Sequence, residues 1–265
     1  MYEYIDFYFN GKFLRDFGFM TCYFDGTGDG ESSVGTVLSN KSAKPANSYL
    51  WHDLGDVYDE PEPISVDICK MCHGLRTEDS FVTLEEEREL IKWLKQVRPF
   101  KEFYFVPLSD VYEPIYFDVK VTEMTAKKFG QSVIGYNIKF LPSTPFGLSE
   151  KRIVEIDGSQ EEVVQSIIVN NDSTDYIYPK ITITNHTGNA LIKNETNGYF
   201  SNVYNLSEET VVIDKNNFGI HTDAESHDII KDFSKTWFRL QDGENVVRTN
   251  CNLKLEYREP IKVSM

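Results

Sequence analysis

Apolar and polar side chains alternate from Tyr4 to Phe9, which assigns Ile5, Phe7 and Phe9 to one face and Tyr4, Asp6 and Tyr8 to the other. That is the period of a half-buried strand. Asn10-Gly11 follows, a pair that accepts positive φ at both positions, and predicts a tight type I′ turn. With the aromatic stretch Lys12 to Phe19 behind it, the opening of the chain reads as an antiparallel hairpin. Alternation recurs at Ile64–Cys69, Phe103–Pro107, Ile115–Val121 and Ser132–Phe140, which predicts four more strands.

The spacing changes once, between Leu84 and Val97. Leu90, Ile91, Leu94 and Val97 form an apolar stripe at helical intervals, bordered by Trp93. Thr83 with Glu86 three residues on makes a capping box, Glu85 to Glu87 suit the positive end of the helix dipole, and Pro99 stops the helix. Pro142 and Pro145 then interrupt the pattern, and the break between Pro142 and Ser149 divides the chain into residues 1–145 and 146–265. The second part is rich in Asn and Thr. It has short strand patterns at Glu162–Val169, Lys180–Thr184, Thr210–Asp214, Thr236–Leu240 and Asn252–Tyr257, as in a β-sandwich. The expected fold is mainly β, a sheet with one helix followed by a sandwich.

Between Asp25 and Asp53 strand signal is confined to Val34–Leu38. Gly26, Gly28 and Gly30 make the start of this stretch a flexible loop, and a loop of such length in a compact domain commonly serves contact with a partner. Gly26, Gly28, Gly30, Val34 and Val37 are therefore the candidate residues for such contact, with Asn10 and Gly11 as the candidate hairpin turn.

Composition narrows the classes of function. The net charge of -15, with a pI near 4.8, disfavours non-specific attraction to nucleic acid or an anionic membrane. The acid is spread evenly, -8 over residues 1–147 and -7 over the remainder. No window of the sequence suggests a signal peptide or a membrane span, so folding in a cytosol is expected, with Cys22, Cys69, Cys72 and Cys251 reduced.

Cys69-Lys70-Met71-Cys72-His73 spells the c-type haem attachment pattern, which normally accompanies export, and a strand end with two thiols is the simpler reading. Zinc would need a fourth ligand, and no second Cys or His pair has suitable spacing. Asp25-x-Thr27-x-Asp29-Gly30 begins like a calcium loop but has Thr36 where the bidentate Glu belongs. The four Asn-x-Ser/Thr triplets at Asn171, Asn185, Asn194 and Asn205 read as turns. No nucleophile elbow, phosphate loop or His-Glu-x-x-His helix is present, and the five histidines are dispersed. No catalytic residue, metal or cofactor is expected.

The order of several weak motifs resembles a known family. Phe9-Asn10-Gly11-Lys12 followed by Asp16-Phe17-Gly18-Phe19 is similar to the "FNGK…DFG" opening of distal tail proteins of long-tailed, non-contractile bacteriophages. Trp93-Leu94 and the strand Tyr136 to Phe140 running into Pro142 continue the likeness. In the second half Asn185-x-x-Gly188, Val212-Ile213-Asp214, Trp237-Phe238-Arg239-Leu240 and Asp242-Gly243-Glu244-Asn245 resemble its C-terminal pattern. The likeness spans nearly all 265 residues, without room for the carbohydrate-binding module inserted in some members.

The resemblance implies a split-barrel-like N-terminal domain that closes into a homohexameric ring and a galectin-like C-terminal sandwich. It implies a baseplate scaffold at the virion tail tip, assembled in the host bacterial cytoplasm. Its implied partners are further copies of itself, the tail tube protein, the tail hub or tail-associated lysin protein, and receptor-binding proteins. A second reading is a carbohydrate-binding protein that recognises host-surface polysaccharide through Tyr199, Tyr204 and Trp237, although burial tendencies place all three in a core. A third is a cell-wall hydrolase, for which the 42 carboxylates supply no specific pair.

Overall fold

The computed structural model describes residues 4–24, 38–46, 49–58, 61–71, 80–95, 99–107, 113–158, 162–173, 175–217 and 219–262. The chain is mainly β. It divides into two compact units, Met1–Gly147 with Lys262–Met265, and Leu148–Ile261.

In the first unit β1 (Tyr4–Phe9) turns at Asn10 and Gly11, whose φ angles are 46° and 85°, into β2 (Lys12–Phe13). The second strand of the opening hairpin is thus only two residues long. A 3-10 turn at Leu14–Phe17 interrupts it before β3 (Phe19–Thr21). Asp16 Oδ2 accepts from the Phe13 N–H at 2.9 Å and Gly18 leaves the turn at φ 75°, which accounts for an Asp, an aromatic and a Gly in succession.

The unit continues with β4 (Leu38–Ala43), β5 (His52–Tyr58), β6 (Ile64–Lys70), α1 (Leu84–Leu94), β7 (Lys101–Pro107), β8 (Tyr116–Phe129) and β9 (Ser132–Pro142). Seven strands are ordered β2-β1-β7-β8-β9-β6-β3, with antiparallel neighbours. Thr21 Oγ1 donates to the Tyr4 carbonyl at 3.0 Å, drawing β3 toward β1 and curling the sheet. Phe7, Phe103 and Phe140 lie inside it, with ring centres 4.7 to 5.4 Å apart in tilted and edge-on arrangements.

Two faces differ from the alternation in the sequence. Ile5 is exposed and Asp6 buried, because the β1–β7 register slips between Tyr4 and Asp6 and moves the residue before the slip to the other side. On α1 the capping box forms as spaced, with Thr83 accepting from the Glu86 N–H and Glu86 accepting from the Thr83 N–H. The buried stripe is Leu90, Trp93 and Leu94, while Ile91 faces out. One residue along a helix is a turn of 100°, enough to take Ile91 off the sheet once Trp93 occupies it.

The second unit lies between the two-residue strands β10 (Gly147–Leu148) and β18 (Pro260–Ile261). It contains β11 (Arg152–Ile156), β12 (Val163–Val169), β13 (Lys180–Asn194), β14 (Phe200–Asp214), β15 (Gly219–Thr222), β16 (Gly243–Thr249) and β17 (Leu253–Tyr257). Its frame is the long hairpin β13–β14. Lys180–Ile183 of β13 pair with β17, whereas Ile192–Asn194 pair with β16. The register slips between these halves, and Asn185, Gly188, Asn205 and Glu208 all have positive φ. The hairpin bends there from one layer of a sandwich into the other. Ile181, Ile183, Ile192, Val203, Val211, Leu240, Val247 and Leu255 are buried between the layers.

The Asn-centred triplets that read as turns at Asn185 and Asn205 are therefore bends inside strands of 15 residues. Thr236–Leu240, read as a strand, is extended chain that touches Ile177 through an isolated bridge at Leu240.

Candidate interaction surface

Strands β4 and β5 form a two-stranded sheet of their own, with Leu38 opposite Tyr58 and Ala43 opposite His52. Among the described residues of its connection and second strand, Tyr49 is 86% exposed, Leu50 54%, Trp51 65% and Leu54 66%. Four large apolar side chains within six positions of one hairpin are a cluster, and burying such side chains is worth roughly 1.5 to 3 kcal/mol each. Exposed apolar surface concentrated in this way makes the hairpin a candidate for contact with a partner. The sequence pattern misses the hairpin because Ser39, Asn40, Lys41 and Ser42 carry no apolar alternation. The nearby Tyr-Leu-Trp triplet was the available signal.

Gly26, Gly28, Gly30, Val34 and Val37, singled out as interface candidates, lie outside the described residues. So do Cys72 and His73 of the haem-like pattern. Cys69, on β6, is half-buried, and its thiol is hydrogen-bonded to that of Cys22, which holds its pKa down to about 7. The same contact and burial push Cys22 up. Among the described residues no group of three or more His, Cys, Asp or Glu side chains is placed to hold a metal ion.

One histidine is tightly engaged. His227 Nδ1 lies 2.7 Å from Glu209 Oε1 and its Nε2 lies 2.9 Å from Asp232 Oδ2. Thr222 donates its hydroxyl to the other oxygen of Glu209, and Asn205 Nδ2 donates to Asp232 at 2.8 Å. The hydrogen bonds to Asp232 and Glu209 raise the His227 pKa above its ordinary 6.5. Burial works against ionised Glu209, but the bonds from Thr222, His227 and the Ser207 N–H outweigh it and hold the carboxyl below 4.5. With an acceptor at each nitrogen the favoured form is the imidazolium, donating twice. Both imidazole nitrogens are occupied by carboxylates, so neither is placed to take a proton from the Thr222 hydroxyl, and the position of the cluster beside Asn205 and Glu208 makes it a clamp on the bend of β14.

The aromatics proposed for sugar contact are placed unequally. Tyr199 and Tyr204 are 41% and 39% exposed, against the expectation that both are core, and Trp237 packs partly against the apolar interior.

Comparisons with known proteins agree over the length of the chain. The profile of a family described as phage tail protein N-terminal domain matches residues 2–142. A second, described as phage tail C-terminal domain, matches residues 146–257. Among solved structures, Dit of phage SPP1, titled a paradigm of the hub adsorption apparatus in phages infecting Gram-positive bacteria, superposes with a TM-score of 0.65. It has 10% sequence identity and covers 98% of this chain and 100% of its own. A chain of the phage P2 baseplate in its activated conformation with Ca gives a TM-score of 0.51 at 9% identity, over 96% of this chain and 97% of that one. Comparison with curated protein sequences gives no match. At such identities the superpositions speak for a shared fold, and the profile matches, which take in most of both units, place this chain in a family of phage tail proteins.

Proposed function

We propose that this protein is a distal tail protein, a structural scaffold that closes into a six-membered ring joining the tail tube to the tail hub. The reading has it assembled in the bacterial cytoplasm with the tube and hub proteins and serving as the platform for receptor-binding proteins, with no catalytic role. The observation that carries it is the exposed cluster Tyr49, Leu50, Trp51 and Leu54 on the β4–β5 hairpin of the N-terminal unit. A cyclic ring needs two different complementary patches on every subunit, and a projecting apolar hairpin supplies one of them. The fold shared with SPP1 Dit supports the same reading.

Light scattering across a concentration series, with negative-stain images, tests it. Six chains of 30.6 kDa give a particle of about 184 kDa with six-fold symmetry. Trp51→Asp, which adds charge to the hairpin, shifts that particle to the monomer while leaving the far-UV circular dichroism unchanged. A monomer at every concentration for the natural chain, or a ring indifferent to Trp51→Asp and Tyr49→Asp, overturns the assembly through this hairpin.

A further inference from the structure

Ile177 and Leu240 exchange main-chain hydrogen bonds at 3.0 and 2.9 Å, and with Phe238 they are buried in the core of the second unit. Alternation in these segments sends their neighbours Tyr176, Tyr178 and Arg239 to the other side, while Trp237 is half-buried, packed on the core and edge-on to Phe233. There the guanidinium carbon of Arg239 lies 3.7 Å from the ring centre of Tyr176 and 3.1 Å from that of Tyr199. The two rings are 6.0 Å apart, inclined at 54°, and each tyrosine is 41% exposed. One step along, Lys215 Nζ lies 5.3 Å from the Tyr178 ring and 5.8 Å from that of Trp237.

The main chain of Arg239 is fixed, its carbonyl accepting from Asn194 Nδ2 at 3.0 Å and Asn197 Nδ2 at 3.1 Å. The side chain is not similarly engaged. Its Nε is buried with no hydrogen-bond partner, and among the described residues no carboxylate pairs with the guanidinium. Residues 148–265 carry 19 acidic against 12 basic side chains, so an arginine without an ion pair here is a departure from its surroundings. Guanidinium is planar, weakly hydrated and suited to bidentate bonding of carboxylate or phosphate. Clamped between two rings, it has already lost the freedom that binding would otherwise remove.

We propose that the Tyr176–Arg239–Tyr199 stack is a binding site for an acidic polysaccharide, with Arg239 taking the carboxylate or phosphodiester of one repeat and the sugar rings lying along the two exposed tyrosines. The second cation-aromatic station at Lys215 stands two residues along each segment, roughly 6 to 7 Å away. That succession suits a polymer that alternates flat rings and charge. An acidic peptide would need the cations alone and leave the aromatic rim unused. With a net charge of -15 the chain does not draw polyanions from a distance, so capture depends on short-range stacking and paired hydrogen bonds. The site belongs to a single chain and stands whether or not the ring forms.

The test is titration calorimetry, alongside Trp fluorescence, of the full chain with four probes at matched ionic strength: a galacturonate hexamer, a glycerol-phosphate oligomer, maltohexaose and poly-glutamate. The expected result is saturable binding of at least one of the first two, which tells carboxylate from phosphodiester, and at least tenfold weaker binding of maltohexaose and poly-glutamate. Arg239→Gln and Tyr199→Ala each weaken it at least tenfold with thermal unfolding unchanged. Arg239→Lys, which keeps the charge and loses the plane, does the same. No binding of either acidic glycan, equal binding of the neutral hexamer or of poly-glutamate, or full affinity in folded Arg239→Gln overturns the proposal.

Discussion

The indole N–H of Trp93 donates to the main-chain carbonyl of Phe9 at 3.0 Å, across 84 residues of sequence. The same ring stacks on Phe17 at 4.4 Å and meets Phe7 and Phe9 at 5.9 Å. The single helix of the described residues is thereby fastened to the opening hairpin through one side chain. Trp93→Ala should cost about 3 to 5 kcal/mol through lost packing. Trp93→Phe keeps much of the packing but loses the hydrogen bond to the Phe9 carbonyl, for about 0.5 to 1.5 kcal/mol. Urea unfolding followed by far-UV circular dichroism measures both; equal stability of the Phe variant and the natural chain would show that the indole hydrogen bond contributes nothing.

Gly135 is a tighter constraint than any turn glycine. A Cβ built on it lies 2.1 Å from the Ile68 carbonyl oxygen and 2.6 Å from Phe24 Cζ. Because the nearest atom is main chain of the neighbouring strand, Gly135→Ala must part β6 from β9, at about 1 to 3 kcal/mol or more. Gly11→Ala has open space and pays only for its positive φ, so it should be the milder of the two. Thermal unfolding of both variants gives the order directly.

Asn245 is fully buried and spends its amide in both directions. Its Oδ1 accepts from the Gln241 N–H at 2.9 Å and from Asn194 Nδ2 at 2.8 Å, and its Nδ2 donates to the Gln241 and Gly243 carbonyls. Asn245→Leu leaves these groups unpaired at about 1 to 3 kcal/mol for each that water cannot reach. Asn245→Asp sets an oxygen against two carbonyls and should also destabilise the chain at neutral pH. A Leu variant as stable as the natural chain in chemical denaturation would refute this account.

The His227 clamp makes stability depend on pH from both sides. His227 has its pKa raised, so its contribution is complete below its unfolded value near 6.5 and is lost as pH rises through the higher folded value. Glu209 and Asp232 are held below 4.5 and 3.8, so theirs is present above those values and lost as pH falls through the lower folded ones. Stability from this cluster should therefore be greatest around pH 5 to 6. His227→Gln should lower the melting temperature most in that window and flatten the profile above it. Lys231, which pairs with Asp228 at 2.8 Å, is charged throughout this range and should not alter the shape. A natural-chain profile that continues to rise from pH 6 to 8 while the variant's does not would count against the clamp.

How far the fold can be read from the sequence depends on whether a residue's neighbours in sequence are also its constraints. The capping box at Thr83 and Glu86 is local, and it reads correctly. The long strands β13 and β14 do not, because Asn185, Gly188, Asn205 and Glu208 look like turn residues and only the pairing on both sides reveals a bend. Asp6 is buried because of a register slip against β7, whose cause lies 100 residues away in sequence. The Asp-Phe-Gly motif is legible as letters, whereas its work is visible only in space: Asp16 on the Phe13 N–H, Phe17 on Trp93, Gly18 at positive φ. The exposed hairpin and Arg239 escape any pattern of alternation, since the first is defined by what does not cover it and the second by the two rings around it and the absence of an ion pair among the described residues.

The bent hairpin β13–β14 gives its two strands to both layers of the sandwich, and this governs how the second unit comes apart. Neither layer can detach as an independent piece, because peeling one pulls on the strands that complete the other. Denaturation of this unit should accordingly be all-or-none, without a half-sandwich intermediate. The hairpin itself closes through contacts near in sequence and can form early, with β11, β12, β16 and β17 added by slower, longer-range pairing. A load applied across the unit would meet the register of one continuous pair of strands rather than a seam between two sheets.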